Sequence, residues 1–328
     1  MGPIDTHTHW FPQEWVDLIE KEGAANGAKI GRNARGNVTF HVPGMSYVFK
    51  PEYTDLNIRF KAMERAGLDM HVLSLASPTV YWAPPEFGLR LSKLWHDKCS
   101  EVVMRHPDRF IGLATVPMQA PELALPELER AAKLPGLRGL YVATSINGIN
   151  LDEKMFFPIY AKCEELDWPI FLHPLNTVGA ERMSKYHLRN LLGNPYDTGI
   201  AAASLIFGGV LDAFPKLKVV LVHAGGAFPA LVGRMDHGAE VRTEARLPNP
   251  PSSYVRRFYY DTITHNDEIL LNLIRQMGAD RILLGSDHPA DMSSSRPADE
   301  VKRLSQLSDV DRNLILSGNA TRLLKIAS

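Results

Sequence analysis

Five side chains combine metal-binding chemistry with a common setting. His7 and His9 close the run Ile4-Asp5-Thr6-His7-Thr8-His9. His173 closes Ile170-Phe171-Leu172-His173, and His223 closes Val220-Leu221-Val222-His223. Asp287 follows Leu283-Leu284-Gly285-Ser286. Side chains two apart on a strand share a face, so His7 and His9 project together. Neutral imidazoles with one carboxylate suit Zn²⁺ or another divalent transition metal, and Mn²⁺ fits the same set. Such an ion, left with an open position, can activate water or anchor the oxygens of an acidic substrate. Taken singly, each residue has a plainer explanation. An H-x-H pair arises by chance, His173 suits a hydrogen-bonded loop, and His223 before Gly225-Gly226 suits a turn. Asp287 suits a helix cap. The weight lies in their joint occurrence at the ends of apolar runs.

For residues so far apart to meet, the runs must be parallel strands that open on one mouth. Eight short runs rich in Val, Ile, Leu and Phe fall at 3–6, 70–75, 110–114, 139–142, 169–173, 218–223, 258–261 and 282–285. They do not alternate apolar with polar, which suits strands buried on both faces. Helical patterns lie between them, clearest at 55–66, 87–106, 152–166 and 266–277. Strands alternating with helices imply crossovers and a parallel sheet. Eight such units predict an α/β fold of the (β/α)8 TIM-barrel type, in which every strand's C-terminal end faces the same side. The chain, 1–328, reads as a single barrel. Residues 23–53, with several glycines, Lys29, Arg32, Arg35 and His41, fit neither strand nor helix. They read as an insertion after strand 1 that covers the mouth.

Composition narrows the partners. Thirty-six basic and 37 acidic residues leave a net charge of −1, which gives no general attraction to nucleic acid or to an anionic membrane. No apolar run is long enough to span a bilayer. A hydrophobic content of 45% with 22% charged residues is that of a soluble globular protein. Two cysteines, Cys99 and Cys163, make neither a disulfide framework nor a thiolate cage, which points to a reducing, cytoplasmic compartment.

The segments IDTHTHWFP (4–12), FLHP (171–174), VHAGG (222–226) and GSDHP (285–289) together resemble the amidohydrolase superfamily. More narrowly they resemble its branch of aminocarboxymuconate-semialdehyde and γ-resorcylate decarboxylases. The likeness extends through AFPKLKVVLVHAGGAFPALVGRMD (213–236), PPSSYVRRFYYDT (250–262) and ILSGNATRLLKI (315–326). It implies a single divalent metal ion held by His7, His9, His173 and Asp287, with no organic cofactor; the ligand types put Zn²⁺ before Mn²⁺. It implies that His223 is the catalytic acid/base and that Asp287 also takes part in proton delivery. Arg234 matches an arginine that reaches a substrate carboxylate across a dimer interface, so the resemblance implies a homodimer. Lys50 stands where the muconate enzyme has arginine, and the two cations are not equivalent as a carboxylate clamp. Trp10 and Phe11, leaving the strand at the mouth, are candidates for apolar contact with the substrate. The expected activity is metal-dependent, non-oxidative decarboxylation of an unsaturated or aromatic carboxylic acid. Hydrolysis of a lactone, ester or amide by the same site is the alternative, because both reactions share the same ligands.

Overall fold

In the computed structural model, which describes residues 2–175 and 177–326, the eight runs become eight strands of one parallel sheet. They are β1 (Ile4–His9), β2 (Met70–Ser74), β3 (Phe110–Ala114), β4 (Leu137–Ala143), β5 (Ile170–His173), β6 (Val219–Leu221), β7 (Phe258–Asp261) and β8 (Ile282–Leu283). Each pairs with the next in chain order. The sheet then closes on itself, because β1 also meets the chain leaving β8. The Thr6 amide donates to the Leu284 carbonyl at 2.8 Å, Asp287 N–H to His7 O at 2.9 Å, and His9 N–H to His288 O at 2.8 Å. The fold is the expected (β/α)8 barrel.

Two layers of apolar side chains hold it. Ile4, Met70, Val72, Ile111, Leu113, Tyr141, Phe171, Val220 and Leu283 fill the barrel, and Leu323 and Leu324 join them from the C-terminal segment. The alternate strand residues, among them Leu73, Leu140, Val142, Ile170 and Leu172, face outward onto Trp95, Ile159 and Leu205 of the surrounding helices. This burial on both faces explains why the runs show no alternation. Local signals set the helix ends. The Asp55 carboxylate accepts from Asn57 N–H at 2.7 Å to start Leu56–Ala66, and that helix ends at Gly67 with φ 65°. Asn266 caps Asp267–Met277 in the same way. The helix read at 152–166 begins later, at Phe157–Leu166, after a 3₁₀ turn over Lys154–Phe156.

β1 runs three residues further than the sequence suggested, and its pairing with β2 shifts register between Asp5 and Thr8. Ile4 faces into the barrel. Strict alternation from Ile4 would turn His7 and His9 outward, so the irregularity is where the strand changes parity and brings both imidazoles inside.

Residues 23–53 differ from the expectation of irregular chain. They form a three-stranded antiparallel sheet, Lys29–Arg32, Val38–Val42 and Met45–Val48. Val38, Phe40 and Val42 point to the core while Thr39 and His41 point away, a period-2 pattern that Pro43-Gly44 ends at the turn. The sheet is fastened by aromatic rings. Phe40 packs on Trp82 at 4.8 Å, and Phe11 meets Tyr47, Phe49 and Tyr53 at 5.1–5.8 Å. Among the described residues no helix is long and apolar enough to cross a membrane.

Candidate metal centre

The strand ends bring together the residues that the spacing selected. One donor atom from each of His7, His9, His173 and Asp287 lies within 4.8 Å of the other three, and all four residues are buried. His9 Nε2 is 3.0 Å and His7 Nε2 3.2 Å from the same Asp287 oxygen, and His173 Nε2 is 4.0 Å from it. The imidazole rings stand 5.0–5.1 Å apart, nearly perpendicular to one another. Two of the donor atoms, His7 Nε2 and His173 Nε2, are buried and make no hydrogen bond. Buried polar nitrogens left unpaired cost free energy unless something else satisfies them. Three converging imidazole nitrogens and one carboxylate are the donor set of a divalent ion, so residues and metal fit.

The other ring nitrogen of each histidine is pinned. His7 Nδ1–H donates to Asp261 at 2.8 Å, His173 Nδ1–H to the Pro174 carbonyl at 2.9 Å, and His9 Nδ1 meets Ser74 Oγ at 3.0 Å. These bonds place the lone pairs on the inward Nε2 atoms. Asp261 does more. Its two oxygens also accept the backbone N–H groups of His223 (2.9 Å) and Ala224 (2.7 Å), so one carboxylate orients His7 and fixes the turn that carries His223. That turn is constrained, with His223 at φ 52° and Ala224 at φ 57°. His223 Nε2 lies 3.7 Å from the second Asp287 oxygen, and its Nδ1 is buried without a partner.

The electrostatics divide the imidazoles. Burial alone would lower His7, but Asp287 and Asp261 outweigh it and push it up to about 10. Burial brings His9 down to about 4 and His173 well below the ordinary histidine range. Burial opposes the charge on Asp287, yet the positive His7, with His223 and His9 close by, holds its carboxyl well below the usual range. Without metal the cluster therefore carries one proton, shared around His7, and offers two neutral imidazoles.

His9, His173, His223 and Asp287 form the floor of a cavity of about 490 Å³. Its walls come from the insertion, including Tyr47 of its sheet with Lys50 and Tyr53 just beyond, and from the segment after β5, including His187 and Arg189. Arg189 donates to the carbonyls of Gly44 and Leu175, so it ties the insertion to the loop beyond β5. Lys50 lines this cavity. Trp10 and Phe11 do not. Trp10 is buried with its indole N–H on the Thr54 carbonyl, and Phe11 is stacked on Trp15 in the aromatic cluster beneath the insertion. Phe11 packs against Tyr47 and Tyr53, which do line the cavity. Arg234 is exposed on the helix Phe228–Val241 and is absent from the cavity wall of its own chain.

Sequence reading passed over Asp261, although FYYD at 258–261 repeats the pattern of a polar residue after an apolar run. Asp261→Asn tests its role. The amide would present N–H to His7 Nδ1 and drive the imidazole proton onto Nε2, the inward atom. Metal affinity is expected to fall about 10–100-fold, read by competition with a chromophoric chelator. Unchanged affinity would remove Asp261 from the site.

Comparison with known proteins agrees with this geometry. The amidohydrolase family model matches residues 4–326. A 2-amino-3-carboxymuconate-6-semialdehyde decarboxylase of Dictyostelium discoideum is 34% identical over 326 residues, covering 98% of this chain and 91% of its own. A γ-resorcylate decarboxylase of a Polaromonas species is 31% identical over 288 residues, covering 82% of this chain and 86% of its own. A dihydroxybenzoic acid decarboxylase from Polaromonas, solved with bound manganese and the inhibitor 2-nitroresorcinol, superposes with a TM-score of 0.81 at 27% identity, over 99% of this chain and 97% of that one. With a match running nearly from end to end, the chain belongs to the amidohydrolase family.

Proposed function

We infer that this protein is a metal-dependent, non-oxidative decarboxylase of an unsaturated or aromatic carboxylic acid. The observation that carries this reading is the buried cluster of three histidines and one aspartate, with a fourth histidine 3.7 Å from the same aspartate, at the floor of a cavity edged by cations. The relatives and the solved structure named above are decarboxylases of such acids.

His7, His9, His173 and Asp287 are the residues we assign to one divalent ion. When bound, it supplies an electrophilic anchor for the acid's oxygens. We propose Zn²⁺ from the ligand chemistry, and the manganese of the Polaromonas enzyme makes Mn²⁺ the ion to compare. In the reaction the bond to the carboxyl carbon breaks, CO₂ leaves, and the electron pair stays on the substrate carbon. A proton must then arrive at that carbon. We assign its movement to His223 and Asp287, whose Nε2 and Oδ2 face each other across the cavity floor. Lys50 balances substrate charge at the rim. Residues 23–53 serve as the cover of a single barrel domain. Arg234, remote from its own cavity, acts in a homodimer by holding the carboxylate in the partner's site through paired hydrogen bonds. Cys99 and Cys163 are buried free thiols, in keeping with the reducing cytoplasm we propose as its compartment.

A product assay tests the reading. Protein reconstituted separately with Zn²⁺ and Mn²⁺ is expected to release CO₂ from at least one member of a panel of phenolic and unsaturated acids. Release of no CO₂ from any member, together with opening of lactones by the same preparation, would replace decarboxylation with hydrolysis.

A further inference from the structure

A second cavity, of about 400 Å³, lies behind the segment that carries Asp287. Ser286 and His288 line it, while Asp287 between them lines the first cavity, so the two spaces share one stretch of backbone. The rest of the wall includes Arg65, His71, Ser295 and Arg296, and among the described residues no Asp or Glu lines this space.

Three features make it a built site. His71 is 1% exposed, and its Nδ1 lies 3.1 Å from Arg59 Nη1. A guanidinium can only donate, so Nδ1 accepts and the ring proton sits on Nε2. That Nε2–H is buried and has no hydrogen-bond acceptor; Asp5 Oδ2, at 3.8 Å, is out of reach. The Asp5 carboxylate already accepts from the Ser286 hydroxyl and from the backbone N–H groups of His7 and Ser286. His288 Nε2 is likewise buried without a partner. Among the described residues Arg65 has no ion pair or hydrogen bond, whereas Arg296 pairs with Asp299 at 3.2 Å and Ser294 with Glu300 at 2.7 Å. The cavity thus gathers an uncommitted guanidinium, a buried donor with nothing to donate to, and hydroxyls.

We propose that this cavity is a second binding site, separate from the metal centre, for a small oxyanion: a phosphate- or carboxylate-bearing ligand. Charge and donors without acceptors select an anion, and Arg65 would hold it by charge-assisted hydrogen bonds.

Calorimetric titration of the metal-loaded protein with inorganic phosphate, and in a parallel arm with acetate, decides it. One anion per chain is expected to bind saturably, and the arm that binds identifies a phosphate-type or a carboxylate-type ligand. Arg65→Ala is expected to weaken that binding about tenfold or more. Ala66→Phe, which fills part of the cavity, should weaken it too, while Lys50→Ala at the other mouth should leave it unchanged. Arg65 is exposed, so its variant is expected to fold, and a thermal melt checks this. No saturable binding of either anion would overturn the proposal. So would binding that Arg65→Ala leaves intact, because the anion would then sit elsewhere, on the metal included.

Discussion

His223→Asn is expected to lower kcat by about 10²–10⁴-fold while the protein keeps its metal. Asparagine is the informative replacement because His223 sits at φ 52°, a conformation that asparagine tolerates better than most residues. The backbone bonds from His223 and Ala224 to Asp261 can therefore survive the change. The four clustered residues do not include His223, so metal content by elemental analysis should stay near that of the unaltered protein. His223→Ala should give the same loss with some added instability from the strained φ. Full activity in either variant would exclude His223 from proton movement.

Asp287→Asn is expected to have a different signature, with metal and turnover lost together. Asp287 is also at positive φ, 65°, so the substitution again spares the backbone. It removes the one carboxylate that His7, His9 and His173 share. Stripping the ion with a chelator should reproduce this loss, and added Zn²⁺ or Mn²⁺ should reverse it in the unaltered protein only. Melting temperature should fall on the order of 5 °C, because an ion present well above its Kd stabilises the folded state. pH enters through His7. In the metal-free protein its imidazolium persists up to about pH 10, whereas His9, at about 4, is already neutral near pH 7. A cation must displace the His7 proton, so loading should release about one proton near neutrality, and affinity should rise with pH. Metal affinity that stayed flat between pH 6 and 8 would contradict this accounting.

What the sequence disclosed follows from where information is local. Strand ends are local: an apolar run followed by histidine or aspartate marks the mouth whatever the loops do, and His7, His9, His173, His223 and Asp287 were legible for that reason. The parity change in β1 was not legible, because it depends on pairing with β2. The same limit hid the role of Asp261, which reaches back 254, 38 and 37 residues to bond His7, His223 and Ala224. The inserted strands did carry a signal, the alternation of Val38, Phe40 and Val42, but glycines and charges around it masked the pattern. Trp10 and Phe11 show how tertiary packing settles what local spacing leaves open. Proximity in sequence to an H-x-H pair suggested the cavity wall, while packing against Trp15 and the insertion takes Phe11 into the interior. Arg189 and His187 come from the excursion after β5, where no periodicity announces what will face the cavity.

The seam between the first and last strands has a consequence for biosynthesis. His7 and His9 are synthesised roughly 280 residues ahead of the aspartate that joins their cluster, and it docks beside them only when the barrel shuts. A nascent chain thus holds three-quarters of a chelate with nothing to fasten it. An ion held there would clasp the first strand to the last, so a chain cut before position 287 is expected neither to lock its cylinder nor to turn over an acid.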